Sequence, residues 1–333
     1  MRRFERIYDA VEPVEEYRPG GYHPVHVHDL FNQRYEVIGK LAYGQFPRLQ
    51  RQVAKELTIL LHLSDPSLVD HPGKRHVLEL LDHFEHHGPN GTHLCLVFPV
   101  MMSDGELIMA VQEKKSRQAS YVQAISKQIL LGLDFLHGQG IVHCSNIMFS
   151  VVGATSGEIP LQPPEYSPIK WLEGVKVDNS FAGHLNDADV STLLVKIGDL
   201  ATWNGQRDQW PVTPTALRAP ELIHRDLWDA SIDVWALGCS VSTNEPLFPL
   251  CSFGLTTEQI DEEHRTLIHE TIVDDDDDDR MPKCFYLASF LLSMLQRDPR
   301  ARKSTTELLN HPYLLGEPCI RDDGQSPDNT QGS

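Results

Sequence analysis

Apolar positions recur at helical spacing over Pro47–Leu63 (PRLQRQVAKELTILLHL). Val53, Leu57, Leu60 and Leu61 share a face there, which predicts a helix from about Leu49. A second amphipathic helix is predicted over Ser120–His137, where Val122, Ile125, Ile129, Leu130, Leu133 and Leu136 form one core-facing side and Gly138–Gly140 ends it. Strand-like runs occur at Tyr35–Ile38, His76–His83 (HVLELLDH) and His93–Val100 (HLCLVFPV). The last two are joined by His-Gly-Pro-Asn-Gly, which is hairpin chemistry. Ile141–Phe149 (IVHCSNIMF) reads as a strand and loop that presents Asn146, and Val195–Leu200 (VKIGDL) as a short strand ending on Asp199. Residues 1–30 carry Pro13, Pro19-Gly20-Gly21 and Pro24 without a sustained period, so they read as an irregular arm with Val25–Val27 as its strand-like triplet. Ser150–Leu194 is a long Pro- and Gly-containing segment of no clear period, and residues 317–333 are polar.

Composition narrows the classes. A chain of 333 residues with 41% hydrophobic content can build sizeable cores. No apolar run reaches the length of a membrane span, and the charged start MRRFERIYDAVEPVEE lacks the apolar stretch of a secretory signal. Cys95, Cys144, Cys239, Cys251, Cys284 and Cys319 show no Cys-x-x-Cys spacing, which suits reduced thiols. A net charge of −18 argues against nucleic acid as a direct partner and is compatible with a basic peptide or with simple acidic solubility. His83, His86, His87 and His93 crowd one hairpin, but without Cys or carboxylate spacing they read as a solvated hairpin, not a metal site.

Several short motifs follow in a fixed order. Lys40–Phe46 (KLAYGQF) is a small-residue turn after a strand, with Gly44 in place and Ala42 where a second glycine would stand. Glu56 lies in the first helix, and Phe98 with Pro99–Met101 closes the hairpin. His143 and Asn146 lie three positions apart, then come Asp199, Thr213–Glu221 (TPTALRAPE), Ser231–Gly238 (SIDVWALG) and Leu291–Leu314 with Arg302. From about Tyr22 to Leu315 this series resembles eukaryotic protein kinases. The strings GGYHPVH, HVLELLDHFEHHGPNGTHLCLVF, LRAPE and EPLFPL resemble the SR-protein kinases among them.

The resemblance implies an α+β, two-lobed fold, with a small β-rich N-lobe, truncated here, and a larger, mainly helical C-lobe. Its boundaries would be an arm at 1–30, the N-lobe at 31–101, the C-lobe at 102–316 with an insertion at about 151–194, and a tail at 317–333. It implies transfer of the ATP γ-phosphoryl group to Ser or Thr of Arg/Ser-rich protein, with Mg²⁺ held by Asn146 and Asp199. Gly44, Glu56, Phe98 and Met101 would border the nucleotide; His143, Glu221, Asp233 and Arg302 would be structural, Glu221 pairing with Arg302. The resemblance also implies a monomer acting in cytoplasm, nucleus or both, on a basic protein partner and without a membrane.

The departures fall on the chemistry. The catalytic-loop aspartate and the three residues after it are missing between His143 and Asn146. The second and third strands, with the phosphate-gripping lysine, have no room between Phe46 and Leu49. Lys40 and Lys55 are possible substitutes, and surface lysines by default. Loss of a positioned base typically costs 10²–10⁴-fold in rate. Three readings therefore stand: a serine/threonine kinase homologue with impaired catalysis, a pseudokinase that binds a basic partner, or a mis-spliced form of an active kinase. The acidic run Asp274–Asp279 after Asp261, Glu262 and Glu263 is either a docking site for such a partner or a solvated loop.

Overall fold

The computed structural model describes residues 17–39, 50–68, 70–101, 119–143, 147–151, 166–169, 172–175, 193–200, 202–203, 213–242, 256–273 and 285–316. The chain divides into two compact units. The first comprises Met1–Asp70, Val77–Glu113 and Ile147–Ala201; the second comprises His71–His76, Lys114–Asn146 and Thr202–Ser333.

The first unit holds short antiparallel sheets and one long helix. Strands β1 (Leu30–Phe31) and β2 (Tyr35–Glu36) pair across a tight turn in which Asn32 and Gln33 both have positive φ, 47° and 53°. Successive left-handed residues are what a turn matching the twist of its strands requires. The strand thus falls at Leu30–Phe31, and Val25–Val27, the triplet expected from sequence, leads into a turn instead. Helix α1 (Gln50–Leu63) starts close to its expected place, but its inner face is turned. Glu56, Ile59, Leu60 and Leu63 are the buried positions, while Leu61 is 46% exposed. The run Ile59-Leu60-Leu61 is apolar all round, so periodicity alone left the face ambiguous, and the burial stripe takes in the carboxylate of Glu56.

Strands β3 (Asp82–Gly88) and β4 (Gly91–Val97) form a hairpin in register from Asp82 opposite Val97 to Gly88 opposite Gly91, turning through Pro89 and Asn90. This corrects the strand expected at His76–His83. Pro72–His76 is a 3-10 turn, and Val77 and Leu78 are buried, bonded to the chain at Ile197 rather than to β4. The inward–outward alternation of a half-buried strand begins only at Asp82. Two further ladders complete the unit among the described residues. Strand β6 (Ile147–Val151) pairs with β9 (Leu193–Ile197), and β7 (Tyr166–Ile169) with β8 (Leu172–Val175).

The second unit is mainly helical. Its centre is α2 (Ala119–Gly138), on which Ile129, Leu130, Leu133 and Leu136 are buried, each contributing about 1.5–3 kcal/mol of hydrophobic burial. Gly140, at φ 73°, turns the chain into β5 (Ile141–Val142), which pairs with β10 (Thr202–Trp203). Then follow α3 (Pro220–Ile223), α4 (Ser231–Ser242), α5 (Thr257–Val273), α6 (Phe285–Met294), α7 (Thr305–Leu309) and α8 (Pro312–Leu315). A reciprocal capping box between Ser304 and Glu307 starts α7, and Thr305 and Thr306 donate their hydroxyls to Asp134 of α2 at 2.7 and 2.8 Å.

The 3-10 turn at Pro72–His76 lies directly on α2. A Cβ on Gly73 would fall 1.8 Å from the carbonyl oxygen of Leu131 and 2.9 Å from Cβ of Phe135. Main chain cannot move aside as a side-chain tip can. Gly73→Ala should therefore cost on the order of 1–3 kcal/mol, the usual range for overpacking, in urea unfolding followed by circular dichroism. A neutral result would mean that the turn is free to lift off α2.

Candidate functional site

The best-defined polar centre is built around Asp233 in the first turn of α4. Its side chain is 2% exposed. Oδ2 accepts the backbone N–H of His143 at 2.8 Å and Nε2 of His137 at 2.9 Å. His143 follows β5 directly and is buried, while His137 stands in the last turn of α2. One carboxylate thus ties the end of a helix, the loop after a strand and the start of a second helix. Burial alone would raise the Asp233 carboxyl; the hydrogen bond and charge of His137, with His143, outweigh it and hold the group below the usual carboxylate range. His137 is the member that sequence reasoning missed. It closes an amphipathic helix and carries no motif, so only the fold reveals its role.

A second centre joins Glu221 of α3 to Arg302. Two guanidinium nitrogens reach the two carboxylate oxygens at 2.6 and 2.7 Å, a bidentate pair with side chains 0% and 4% exposed. Two further donors are also used. Nε donates to the carbonyl of Gln296 at 2.8 Å and Nη1 to that of Ser231 at 3.1 Å. The guanidinium lies over the Trp235 ring at 5.0 Å. Arg302 therefore pins together three separate stretches of the second unit.

The other residues singled out from sequence lie in the first unit or beyond the described residues. Gly44, Asn146 and Lys40 are in the latter class. Glu56 is buried on α1, next to half-buried Lys55, and Phe98 and Met101 are half-buried just past β4. Asp199 is half-buried and stands two residues after β9, with φ 60°. A non-glycine residue in the left-handed region is uncommon and costs free energy, so its neighbours, buried Gly198 and Leu200, must hold it there. The β6–β9 register pairs Ile147, the residue after Asn146, with Ile197, two before Asp199. That pairing sets β6 against the strand that leads into Asp199. Among the described residues, no group of three His, Cys, Asp or Glu side chains is arranged to hold a metal ion.

On α5, two of the three acidic residues at 261–263 already have cationic partners. Arg218 donates to Asp261 at 2.8 Å, and Arg265 lies 2.5 Å from Glu262. Burial, with the nearby Arg218 charge, pushes His264 down to about 4, so this ring stays neutral beside the pair. The run Asp274–Asp279 lies outside the described residues. Burial raises the thiols of Cys95 and Cys239 above the usual cysteine range, which disfavours the thiolate.

Residues 185–314 match the family described as the protein kinase domain. That span holds Asp199, Glu221, Asp233 and Arg302. The chain has a protein kinase fold resembling the SR-protein kinases. Among its relatives, a serine/threonine-protein kinase SRPK of Physarum polycephalum is 26% identical over 406 aligned residues, covering 92% of each chain. The serine/threonine-protein kinase SKY1 of Saccharomyces cerevisiae is 34% identical over 164 residues, 40% of this chain and 21% of that protein. The protein kinase dsk1 of Schizosaccharomyces pombe is 33% identical over 166 residues, 42% of this chain and 30% of its own length. The chain thus spans most of the Physarum protein but under a third of the two yeast kinases. The Physarum alignment, at 406 positions, is longer than this kinase-fold chain of 333 residues, so it runs through gaps opposite segments that the chain lacks. No described helix is long and apolar enough to cross a membrane.

Proposed function

We propose that this chain is an SR-protein-kinase-like serine/threonine kinase homologue that keeps the scaffold and the binding of a basic, Arg/Ser-rich protein but transfers phosphate poorly. The observation that carries the reading is an asymmetry. The scaffold centres are fully built, with Asp233 under His143 and Arg302 on Glu221, whereas the sequence lacks both the loop aspartate and the third-strand lysine. Asp199 fits a metal-holding role, since its half-buried carboxylate stands at a strand end in a constrained backbone state. Together with Asn146 it would hold Mg²⁺, which in this family neutralises charge on the ATP phosphates. Glu56, facing inward on α1, would otherwise pair with the missing lysine, and Gly44, Phe98 and Met101 would border the nucleotide. With no base to take the hydroxyl proton, transfer should fall by roughly 10²–10⁴-fold. Action in cytoplasm or nucleus is part of the same reading.

A second reading has one observation in its favour. The alignment to the Physarum kinase covers 92% of both chains yet runs over 406 positions against 333 residues here, and gaps opposite this chain are what omission of segments from an active kinase would leave.

The test is phosphotransfer from labelled ATP-Mg²⁺ to an Arg-Ser repeat peptide, beside an Asp199→Asn control, with peptide binding followed by fluorescence anisotropy. The expected result is retained binding and transfer close to the control. Rapid transfer that Asp199→Asn abolishes would overturn impaired catalysis, and absence of peptide binding would overturn the substrate class.

A further inference from the structure

Residues 17–39 fold over one face of the β3–β4 hairpin, and their contacts differ at its two ends. At one end Tyr35 stacks on Phe84, with ring centroids 5.6 Å apart, and donates its hydroxyl to Asp82 at 2.7 Å. Arg34 reaches the same carboxylate oxygen at 3.0 Å. At the other end Asn90 of the hairpin turn donates its side-chain amide to the Tyr22 carbonyl at 2.6 Å and accepts the Gly20 N–H at 2.7 Å, and the ring contacts beside these two bonds are imidazole on imidazole. His86 and His93 are direct cross-strand partners, and the His23 ring lies 4.5 Å from the first and 5.3 Å from the second. Phe31 closes the group, 4.3 Å from His86 and 5.7 Å from His23. His23 sits so close to Gly88 that a Cβ there would approach its Nδ1 to 2.1 Å.

Two nitrogens of this cluster, Nδ1 of His23 and Nε2 of His93, are buried without a hydrogen-bond partner. A neutral imidazole can leave one nitrogen unprotonated at modest cost. An imidazolium carries a donor on both, and burying an unpaired donor on a charged ring is far more expensive. A second positive ring at about 5 Å adds like-charge repulsion. The groups facing His23 are His86 from β3, His93 from β4, and His26 and Asp29 from its own segment, and among these Asp29 alone favours a charge on it.

We propose that His23, His86 and His93 form a proton-operated latch. Neutral, they hold the 17–39 segment on the hairpin; protonation of His23 opens that end, while Asp82 with Tyr35 and Arg34 keeps the other end attached. Burial first, then His86 and His93, lower His23 below its ordinary 6.5. The docked state therefore binds fewer protons than the released one. Docking is complete above pH 6.5 and is lost as pH falls from there towards the lowered value. The Tyr35 hydrogen bond holds the Asp82 carboxyl below its usual range, so the tie at that end stays ionised throughout the window.

The experiment is fluorine NMR on the full chain carrying 4-fluorophenylalanine, with the Phe31 signal assigned by its loss in Phe31→Leu. Between about pH 7.5 and about pH 5.5, the Phe31 signal should move to a solvent-exposed position while the core signal of Phe290 stays fixed. In His23→Phe, which keeps a ring on Gly88 but cannot charge, the movement should disappear. If that variant does not fold, as judged by Phe290, His23→Gln should show the same loss. A Phe31 signal that stays put in the wild type, or moves identically in the uncharged variants, overturns the latch.

Discussion

Replacing Arg302 with methionine should destabilise the second unit by about 3–5 kcal/mol, because it leaves the Glu221 carboxylate buried with no counter-charge. Lost attraction is the smaller part of that figure. The pair's own Coulomb energy is largely offset by the cost of removing two ions from water, whereas an orphaned ion retains its whole desolvation cost. The asymmetry is testable with three variants. Arg302→Met should unfold at a much lower urea concentration. Glu221→Gln should cost less, since a neutral amide leaves Arg302 its bonds to the Gln296 and Ser231 carbonyls. The double variant Arg302→Met with Glu221→Leu should recover much of the loss, because two apolar side chains need no partner. A cost under about 1 kcal/mol for Arg302→Met would mean that water reaches Glu221.

How far the sequence could be read depended on the kind of signal. Helices α1 and α2 were legible because three or four turns of apolar periodicity leave few alternatives, and α2 runs from Ala119 to Gly138 against an expected Ser120–His137; α5, longer than α1, was not expected. Which face turns inward was less legible. On α1, Ile59, Leu60 and Leu61 offer two equally apolar faces, and the choice between them, which buries Glu56 and exposes Leu61, is made by packing. The strand expected at His76–His83 fell instead at Asp82–Gly88, because Val77–Leu81 is apolar enough for a strand while Val77 and Leu78 bond to Ile197, and the chain reaches β4 only at Leu81, whose N–H donates to the Val97 carbonyl. The ladder partner, not composition, decides where a strand begins. At the candidate site, residues that belong to ordered motifs were found in sequence, among them Asp233, Glu221 and Arg302. Residues that act through geometry alone were not. His137 on Asp233, the Gln296 carbonyl on Arg302 and His23 on Gly88 are each brought in by a tertiary approach that no local pattern encodes.

The same distinction sets the expected behaviour of Asp233. Asp233→Ala removes the acceptor from two donors, the His143 N–H and His137 Nε2, and each donor stranded in the interior costs roughly 1–3 kcal/mol. Asp233→Asn should lie between alanine and wild type, because its amide oxygen can keep the His143 N–H while its NH₂ faces His137 as a second donor. The pH dependence separates these bonds from a general loss of packing. The folded-state carboxyl of Asp233 lies below its ordinary 3.8, so the stability it supplies is complete well above that value and disappears as pH falls through the lowered one. Urea unfolding of wild type and Asp233→Asn should therefore differ by a constant amount at neutral and mildly acidic pH, with the gap closing only in strong acid. A gap that closes already near pH 6 would assign the loss to a histidine instead. A gap that never closes would show that Asp233 acts through its shape and not its charge, and the link between His137, α4 and the loop after β5 would then rest on packing alone.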